Sequence, residues 1–485
     1  MYYTLLYIYS TNMKRTLGNI ILAISALVAT TSCDGYLDIT PEGQVKRDEM
    51  LSTNEGVEDA LYGVYAQLRS TSLYGQELYF QSLEVMANSL YCYGNDAIAA
   101  LGKFNYTDTR VKNVFASVWT DMYANISNVN SIINSPLVEN ATSYPATIYR
   151  GEALALRAFM HFDLMRLFAE QITVNPNADG IPYKKEFSLA IPDFEKLSVD
   201  YDYVLADLNE AERLLADEDS HRDETAFMSD RQIHLNIHAV RALMARVYLT
   251  MGNKNKAQEY AMKVIEESGL QLKTKTEVQN DLAGVLSKKE CLFGVYYSNF
   301  YSVVSTKLQQ RISYSSLDIR PDFMETYEDG VSGLDYRTNA YFTSVDQGGQ
   351  PVYRLSKFTD IYELDNNASA RPKDLIQGIN MIRLPEMYYI AAECLLDTDY
   401  EKAVALFDEV TTSRGLEPFD TENATLTVND INKERFKEYI GEGQTWFNMK
   451  RQNLTISSYD NNTTYRPEDG IYVVPIPDAE KENRN

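Results

Sequence analysis

Histidine and cysteine are scarce in this chain, four of each among 485 residues, and a metal centre built from them is disfavoured. His161, His221, His234 and His238 form no HExxH pattern. His234 and His238 stand four apart, but no third ligand is evident and the pair reads as a helix start. No EF-hand spacing is present either, so no cofactor is implied. Positive charge is short: 45 Lys and Arg face 69 Asp and Glu, a net charge of −24. That excludes a general nucleic-acid binder, which presents a cationic surface to phosphates. No apolar run reaches the roughly 20 residues that span a bilayer core. Gly-x-Ser-x-Gly, Gly-x-x-x-x-Gly-Lys and a helix-opening Gly-x-Gly-x-x-Gly are all missing, and no catalytic residue is assigned. Cys92, Cys291 and Cys394 are far apart and odd in number, which implies buried thiols and no disulfide framework. A chain this long buries a large core without such staples.

What is plentiful is tyrosine, 36 residues against two tryptophans. A tyrosine ring offers an apolar face and a polar edge, which suits wet binding surfaces as well as core margins.

Residues 1–32 hold no Asp or Glu, and their only charges are Lys14 and Arg15. A largely apolar run from Leu17 to Ala29 follows, then Thr30, Thr31, Ser32 and Cys33. This order predicts a secretory signal over 1–32, with Met13 as the natural start and residues 1–12 as an annotation artefact. Cys33, after small residues and before polar Asp34 and Gly35, resembles a bacterial lipobox, with Thr30 where Leu is usual. Lipidation at Cys33 would anchor the mature chain, since each buried CH₂ contributes about 0.8 kcal/mol. Residues 33–53 are polar, with Pro41 and Gly43, and read as a tether.

From residue 54 onward helical periodicity dominates. Val57, Leu61, Val64, Tyr65 and Leu68 form one stripe, and Val114, Val118, Met122, Ile126, Val129 and Ile133 another. Leu154, Ala158, Phe162, Met165 and Phe168 form a third. Further helices are expected over about 199–216, 234–251, 255–268, 381–396, 400–414 and 429–451. Ala242, Ala245, Gly252, Ala257 and Ala261 describe a helical hairpin in which small residues allow close approach. Ala391, Ala392, Tyr400, Ala403 and Phe407 describe a second. A third, broken pair is 151–169 with 199–216, split by an insertion holding Pro176, Gly180, Pro182 and Pro192. The packing logic is tetratricopeptide-like, although the period is not fixed. The expected fold is mainly α: a helical-hairpin scaffold with long irregular loops near 70–110 and 270–380 and a few short strands, in one domain over 54–485.

Several segments together resemble one family. Cys33-Asp34-Gly35-Tyr36-Leu37-Asp38, then Pro41, is similar to its lipidated start. Trp119, Tyr123, Ile126 and Asn130, then Glu152-Ala153, Leu156-Arg157-Ala158-Phe159 and Asp163, match two of its helices. Asp207-Leu208 and Ala211 match the next helix. Arg383, Glu386, Ala392 and Glu393, then Glu434-Arg435, Glu438, Glu442-Gly443, Trp446-Phe447 and Arg451, match two more. Pro475-Ile476-Pro477 and Glu480 resemble its closing motif. The chain is thus identified as resembling the SusD/RagB family of outer-surface nutrient-binding lipoproteins of Bacteroidetes. Phe436, Asn448 and Arg484 depart from frequent Arg, Asp and Pro, and touch only scaffold and tail. The resemblance implies non-catalytic capture of an oligosaccharide and delivery to a SusC-like TonB-dependent transporter at the outer membrane. Alternatives are a peptide-binding member of the family, a surface glycoside hydrolase and a plain helical-repeat adaptor.

Carboxylates on the motif helices invite a catalytic reading, because a glycosidase needs two across a cleft. In helices rich in Arg and Lys they read as ion-paired structure instead. The expected groupings are Arg435 with Glu438 and Glu442, Arg157 with Glu152 or Asp163, and Arg383 with Glu386 and Glu393. Recognition is expected from aromatic clusters, because sugar C–H faces stack on rings while hydroxyls seek amides and carboxylates. Candidate ligand residues are Tyr74 and Tyr79 in a first cluster with Gln76 and Phe80, Tyr91, Tyr93, Asn95 and Asp96 in a second with Tyr106, and Tyr296, Tyr297, Asn299 and Tyr301 in a third with Phe300.

Overall fold

A computed structural model describes residues 47–92, 96–280, 285–308, 316–320, 322–327, 335–346, 351–359, 376–482 and 484. The leader, Cys33, Tyr93 and Asn95 lie outside the described residues. The chain divides into Met1–Met50, of which only the helical residues 47–50 are described, and Leu51–Asn485. The second unit is mainly helical.

Its longer helices are α1 (Asn54–Leu68), α2 (Thr109–Ile133), α3 (Ala146–Phe168), α4 (Leu197–Leu214), α5 (Ile237–Thr250), α6 (Lys254–Glu267), α7 (Phe300–Leu308), α8 (Leu384–Leu395), α9 (Tyr400–Ser413), α10 (Val428–Tyr439) and α11 (Thr445–Arg451). Thr53 starts α1 by accepting a hydrogen bond from Gly56 N at 3.1 Å. Asn236 caps α5 through the backbone N–H groups of His238 and Ala239, so the His234–His238 segment is a helix start. None of the described helices is long and apolar enough to cross a membrane.

The expected hairpins form. α5 packs on α6 and α8 on α9, with Ala242, Ala245, Ala257, Ala261, Ala391, Ala392 and Ala403 fully buried between them. α6 also packs on α8, so the two hairpins stack. The broken pair is present as α3 against α4. α3 is buried on nearly every side rather than along one stripe, which makes it the central helix. In α2 the inner stripe starts from Val111 and Phe115, with Val114 half-buried.

The expected single helix over 429–451 is instead two, α10 and α11. The turn between them needs left-handed glycines at Gly441 (φ +81°) and Gly443 (φ +68°). A Cβ on Gly443 would lie 2.6 Å from the Leu78 carbonyl oxygen. Gly443 N donates to Glu84 Oε1 at 2.8 Å, which pins the turn against the region after α1.

The strands are short: β1 (Leu90–Tyr91), β2 (Val285–Leu286), β3 (Cys291–Tyr296), β4 (Asp318–Ile319), β5 (Phe342–Asp346), β6 (Pro351–Leu355), β7 (Ile376–Arg383), β8 (Ile456–Ser457) and β9 (Thr464–Tyr465). β7 lies antiparallel between β2 and β3 and runs straight into α8. β3 and β7 approach closely because Gly378 faces Tyr296; a Cβ there would stand 2.3 Å from Val295 O. β1 pairs with β4 through Leu90↔Ile319 and Tyr91↔Asp318, and β5–β6 and β8–β9 are hairpins.

The buried charges are ion-paired, but the partners differ from those expected. Arg157 binds Asp207 with two bonds of 2.7 Å, while Glu152 takes Arg231 at 2.6 Å and Asp163 takes Arg166. Residues five or six apart leave a helix on different faces, so neither Glu152 nor Asp163 serves Arg157. Arg383 is the last strand residue before α8 and therefore turns away from Glu386 and Glu393. It binds Glu438 at 2.7 Å and Glu442 at 2.7 and 3.0 Å instead. Glu386 pairs with Arg246, and Glu393 with both Arg435 and Arg451. Burial opposes the charge on Glu393, yet these two guanidinia outweigh it and hold the carboxyl at about 2. Cys92, Cys291 and Cys394 are buried thiols.

Candidate functional site

Tyr74 and Tyr79 are 2% exposed and belong to the core, which corrects their assignment to a binding surface. Tyr74 donates to Asp163 Oδ2 at 2.6 Å, and Tyr79 packs its ring against Phe300 and Phe358. Burial satisfies both the apolar face and, for Tyr74, the hydroxyl, so neither ring can meet a solvent-borne sugar.

Tyr91 ends β1 half-buried and stacks face to face on Tyr459, with ring centroids 4.2 Å apart and planes 6° from parallel. Tyr459 stands in the β8–β9 turn. That turn closes by its own chemistry: Ser458 N donates to Thr463 O at 2.7 Å, Thr463 N to Ser458 Oγ at 2.9 Å and Asn461 N to Ser458 O at 2.9 Å. Asn461 takes a left-handed φ of +57°, which Asn tolerates better than most residues. Two latches hold the turn beside β1. Asn88 accepts from Tyr459 N at 3.2 Å while donating to Gly102 O. Arg320, next to β4, bonds Ser457 O, Asp322 and Asn461, and Asn461 donates to Asp322 Oδ2 at 2.9 Å. The ring pair is therefore fixed in place and bordered by amides, a guanidinium and carboxylates. Asp460 is one of these carboxylates; the Ser458 hydroxyl, then Asn462, hold it at about 2, so it is ionised at neutral pH.

The third cluster sits at the end of β3. Tyr296 is 47% exposed and Asn299 is exposed, while Tyr297 and Tyr301 are half-buried. The Arg69 guanidinium lies 5.8 Å over the Tyr297 ring. The side chain of Asp96 lies outside the described residues. Tyr106 is turned inward, donating to Ile471 O at 2.7 Å. Sequence reasoning missed Tyr459, Asn461, Arg320 and Asp322. The run Tyr459-Asp460-Asn461-Asn462 carried the same mixture of ring and amide.

Glu434, Glu438 and Glu442 are buried. Arg337, Arg383 and Arg414 surround Glu438 at 3.3, 2.7 and 2.9 Å, and Lys357 joins Arg383 on Glu442. Among the described residues no group of three or more His, Cys, Asp and Glu could hold a metal ion.

Residues 35–249 match a family described as starch-binding associating with outer membrane, and residues 246–484 match the SusD family. The chain is 24% identical to a SusD-like protein, P2, of Formosa agariphila, over 94% of this chain and 96% of that one. It is 22% identical to a SusD-like protein of Bacteroides ovatus, covering 89% of this chain and 81% of that relative. Its fold resembles a SusD superfamily structure from Bacteroides thetaiotaomicron (TM-score 0.71, 24% identity, 88% and 97% of the two chains). It also resembles a SusD-like carbohydrate binding protein from Bacteroides vulgatus (TM-score 0.67, 20% identity, 88% and 95%).

Proposed function

Because this chain belongs to the SusD/RagB family, we propose that it is a cell-surface lipoprotein that binds an oligosaccharide without altering it and passes it to a SusC-like TonB-dependent transporter. The observation that carries this reading is the Tyr91–Tyr459 ring pair, latched by Asn88 and Arg320 and bordered by Asp460 and Asn461. Rigid rings receive sugar C–H faces at little entropic cost, and fixed amides and carboxylates take the hydroxyls. Tyr296 and Asn299 provide a second contact zone, with Tyr93, Asn95, Asp96 and Tyr301 as further candidates. Binding without bond-making is supported by the buried, fully paired state of Glu434, Glu438 and Glu442. The family's association with the outer membrane accords with lipidation at Cys33, whose acyl chains would hold the protein beside the transporter.

The test is a glycan array followed by calorimetry on the wild type and on a Tyr91→Ala/Tyr459→Ala double variant. The wild type is expected to bind a glycan, and the variant to bind it at least about tenfold more weakly, a loss of about 1.4 kcal/mol, with an unchanged melting temperature. Affinity unchanged in the variant would reject the site. Ligands found only in a peptide library, or reducing ends released from polysaccharide, would reject the function.

A further inference from the structure

Between α3 and α4, the insertion over 169–196 carries four of the seven large apolar side chains exposed among the described residues: Val174, Phe187, Leu189 and Ile191. Leu189 is wholly exposed, and Phe187 and Ile191 flank it at two-residue spacing on the tip of a bend. From Ser188 to Ile191 no backbone group has a hydrogen-bond partner among the described residues. Contiguous apolar surface of this kind marks a place where another molecule binds.

The tip is bare, but its base is clamped by side chains from α2, from the cap that ends α2 and from α3. Tyr123 donates to Pro182 O at 2.9 Å, Asn130 to Lys184 O at 2.9 Å and Arg157 to Lys185 O at 3.0 Å. Lys184 N donates to His161 Nε2 at 3.0 Å, and Phe187 N to Asn134 Oδ1 at 3.1 Å. Gly180 N donates to Glu195 O at 2.8 Å and closes the base. Arg484 donates to Pro192 O at 2.8 Å, with its guanidinium 4.5 Å over the Phe194 ring. Tyr123, Asn130 and Arg157 stand out in the sequence, have no part in the ring-pair site and find their use here. A loop fixed at its ends loses little freedom when its tip docks.

The charges around the tip balance: Lys184, Lys185 and Lys196 against Glu186, Asp193 and Glu195. A loop made for anionic lipid carries an excess of Lys and Arg. A balanced rim around an apolar centre fits a protein surface instead. Three apolar side chains fall far short of the roughly 20–30 residues that each partner brings to a stable interface in solution. The partner is therefore one kept close by other means, which excludes a second copy meeting the tip in free solution.

We propose that Phe187, Leu189 and Ile191 insert into an apolar groove, rimmed by charges of both signs, on the outward face of the transporter beside which the chain is anchored. This rests on the reading of the chain as a lipoprotein partner of a TonB-dependent barrel. Two molecules confined to one membrane meet at high effective concentration, which lets so small a contact hold. The tip uses no residue of the ring pair, so docking and ligand capture are separable.

The experiment uses the full chain in the bacterium that makes it. Affinity purification from detergent-solubilised outer membranes compares the wild type with Phe187→Ser/Leu189→Ser/Ile191→Ser. The wild type is expected to bring down a SusC-like barrel identified by mass spectrometry. The variant should recover at least about tenfold less of it, with melting temperature and glycan affinity unchanged. Leu189→Cys carrying a thiol-linked benzophenone is expected to crosslink to that barrel on irradiation; the native thiols Cys92, Cys291 and Cys394 are buried and stay unlabelled. Full recovery of the barrel by the triple variant would overturn the proposal and leave the transporter reading standing. Absence of any such barrel from the wild type would overturn both. A crosslink to lipid, or to a second copy of the chain, would overturn the proposal as well.

Discussion

Residues 70–92 and residues 291–301 both carry several tyrosines and phenylalanines together with Asn and Ser, and their leading tyrosines meet solvent in opposite ways. In the first, Tyr74 and Tyr79 are sealed in the core; in the second, Tyr296 is 47% exposed and Asn299 projects into water. The difference lies in what waits on the inside. Central helix α3 offers Tyr74 a buried acceptor, Asp163, and Phe300 with Phe358 offers Tyr79 an aromatic wall. Tyr296 faces a glycine across the sheet, which has no side chain to cover its ring. A tyrosine-rich segment thus declares its side only through partners far away in sequence.

The contrast can be broken most forcefully at Tyr74. Tyr74→Ala leaves a cavity and takes one hydrogen bond from buried Asp163, which keeps Arg166, and should destabilise the protein by about 3–5 kcal/mol in chemical denaturation. Next comes Glu84, in the inward segment. Burial pushes its carboxyl up to about 7, against hydrogen bonds from Ser89 and the Gly443 backbone. The folded value lies above the ordinary 4.5, so its contribution is complete below about pH 4.5 and is lost as pH rises through 7. Glu84→Gln should therefore be more stable than wild type at pH 8, on the order of 2 kcal/mol, with the difference vanishing near pH 4.5. Denaturation midpoints at the two pH values decide this. Tyr74→Phe removes only the hydroxyl and should cost about 1 kcal/mol. On the outward side, Tyr296→Ala should change stability by less than about 0.5 kcal/mol. A large loss there would mean that the two segments do not differ as described.

The scaffold was legible because its signals are local. Alanines at helical spacing foretold both stacked hairpins, and the change to helical periodicity at residue 54 marked where α1 begins. Partner choice was not legible. Arg157 finds Asp207 rather than its own helix's acids, and Arg383 reaches forward to Glu438 and Glu442, because such pairs are set by tertiary placement rather than spacing. The split of 429–451 turned on Gly441 and Gly443, which take left-handed φ and leave no room for a Cβ beside Phe358 and Leu78, neighbours that are distant in sequence. Tyr91 was singled out, but its ring partner Tyr459 was not, since nothing near either residue predicts the other.

That ring pair is assembled from three stretches of chain: the end of β1, the residues around Arg320 and the β8–β9 turn. A truncated or half-translated chain has no such platform to offer, so capture of a ligand at the proposed site would report that the late hairpin has docked on the early strand. The same arrangement loosens heredity's grip on specificity. Residues 458–463 form a short turn closed by its own hydrogen bonds, and new side chains there could alter what is held while α5, α6, α8 and α9 stay as they are.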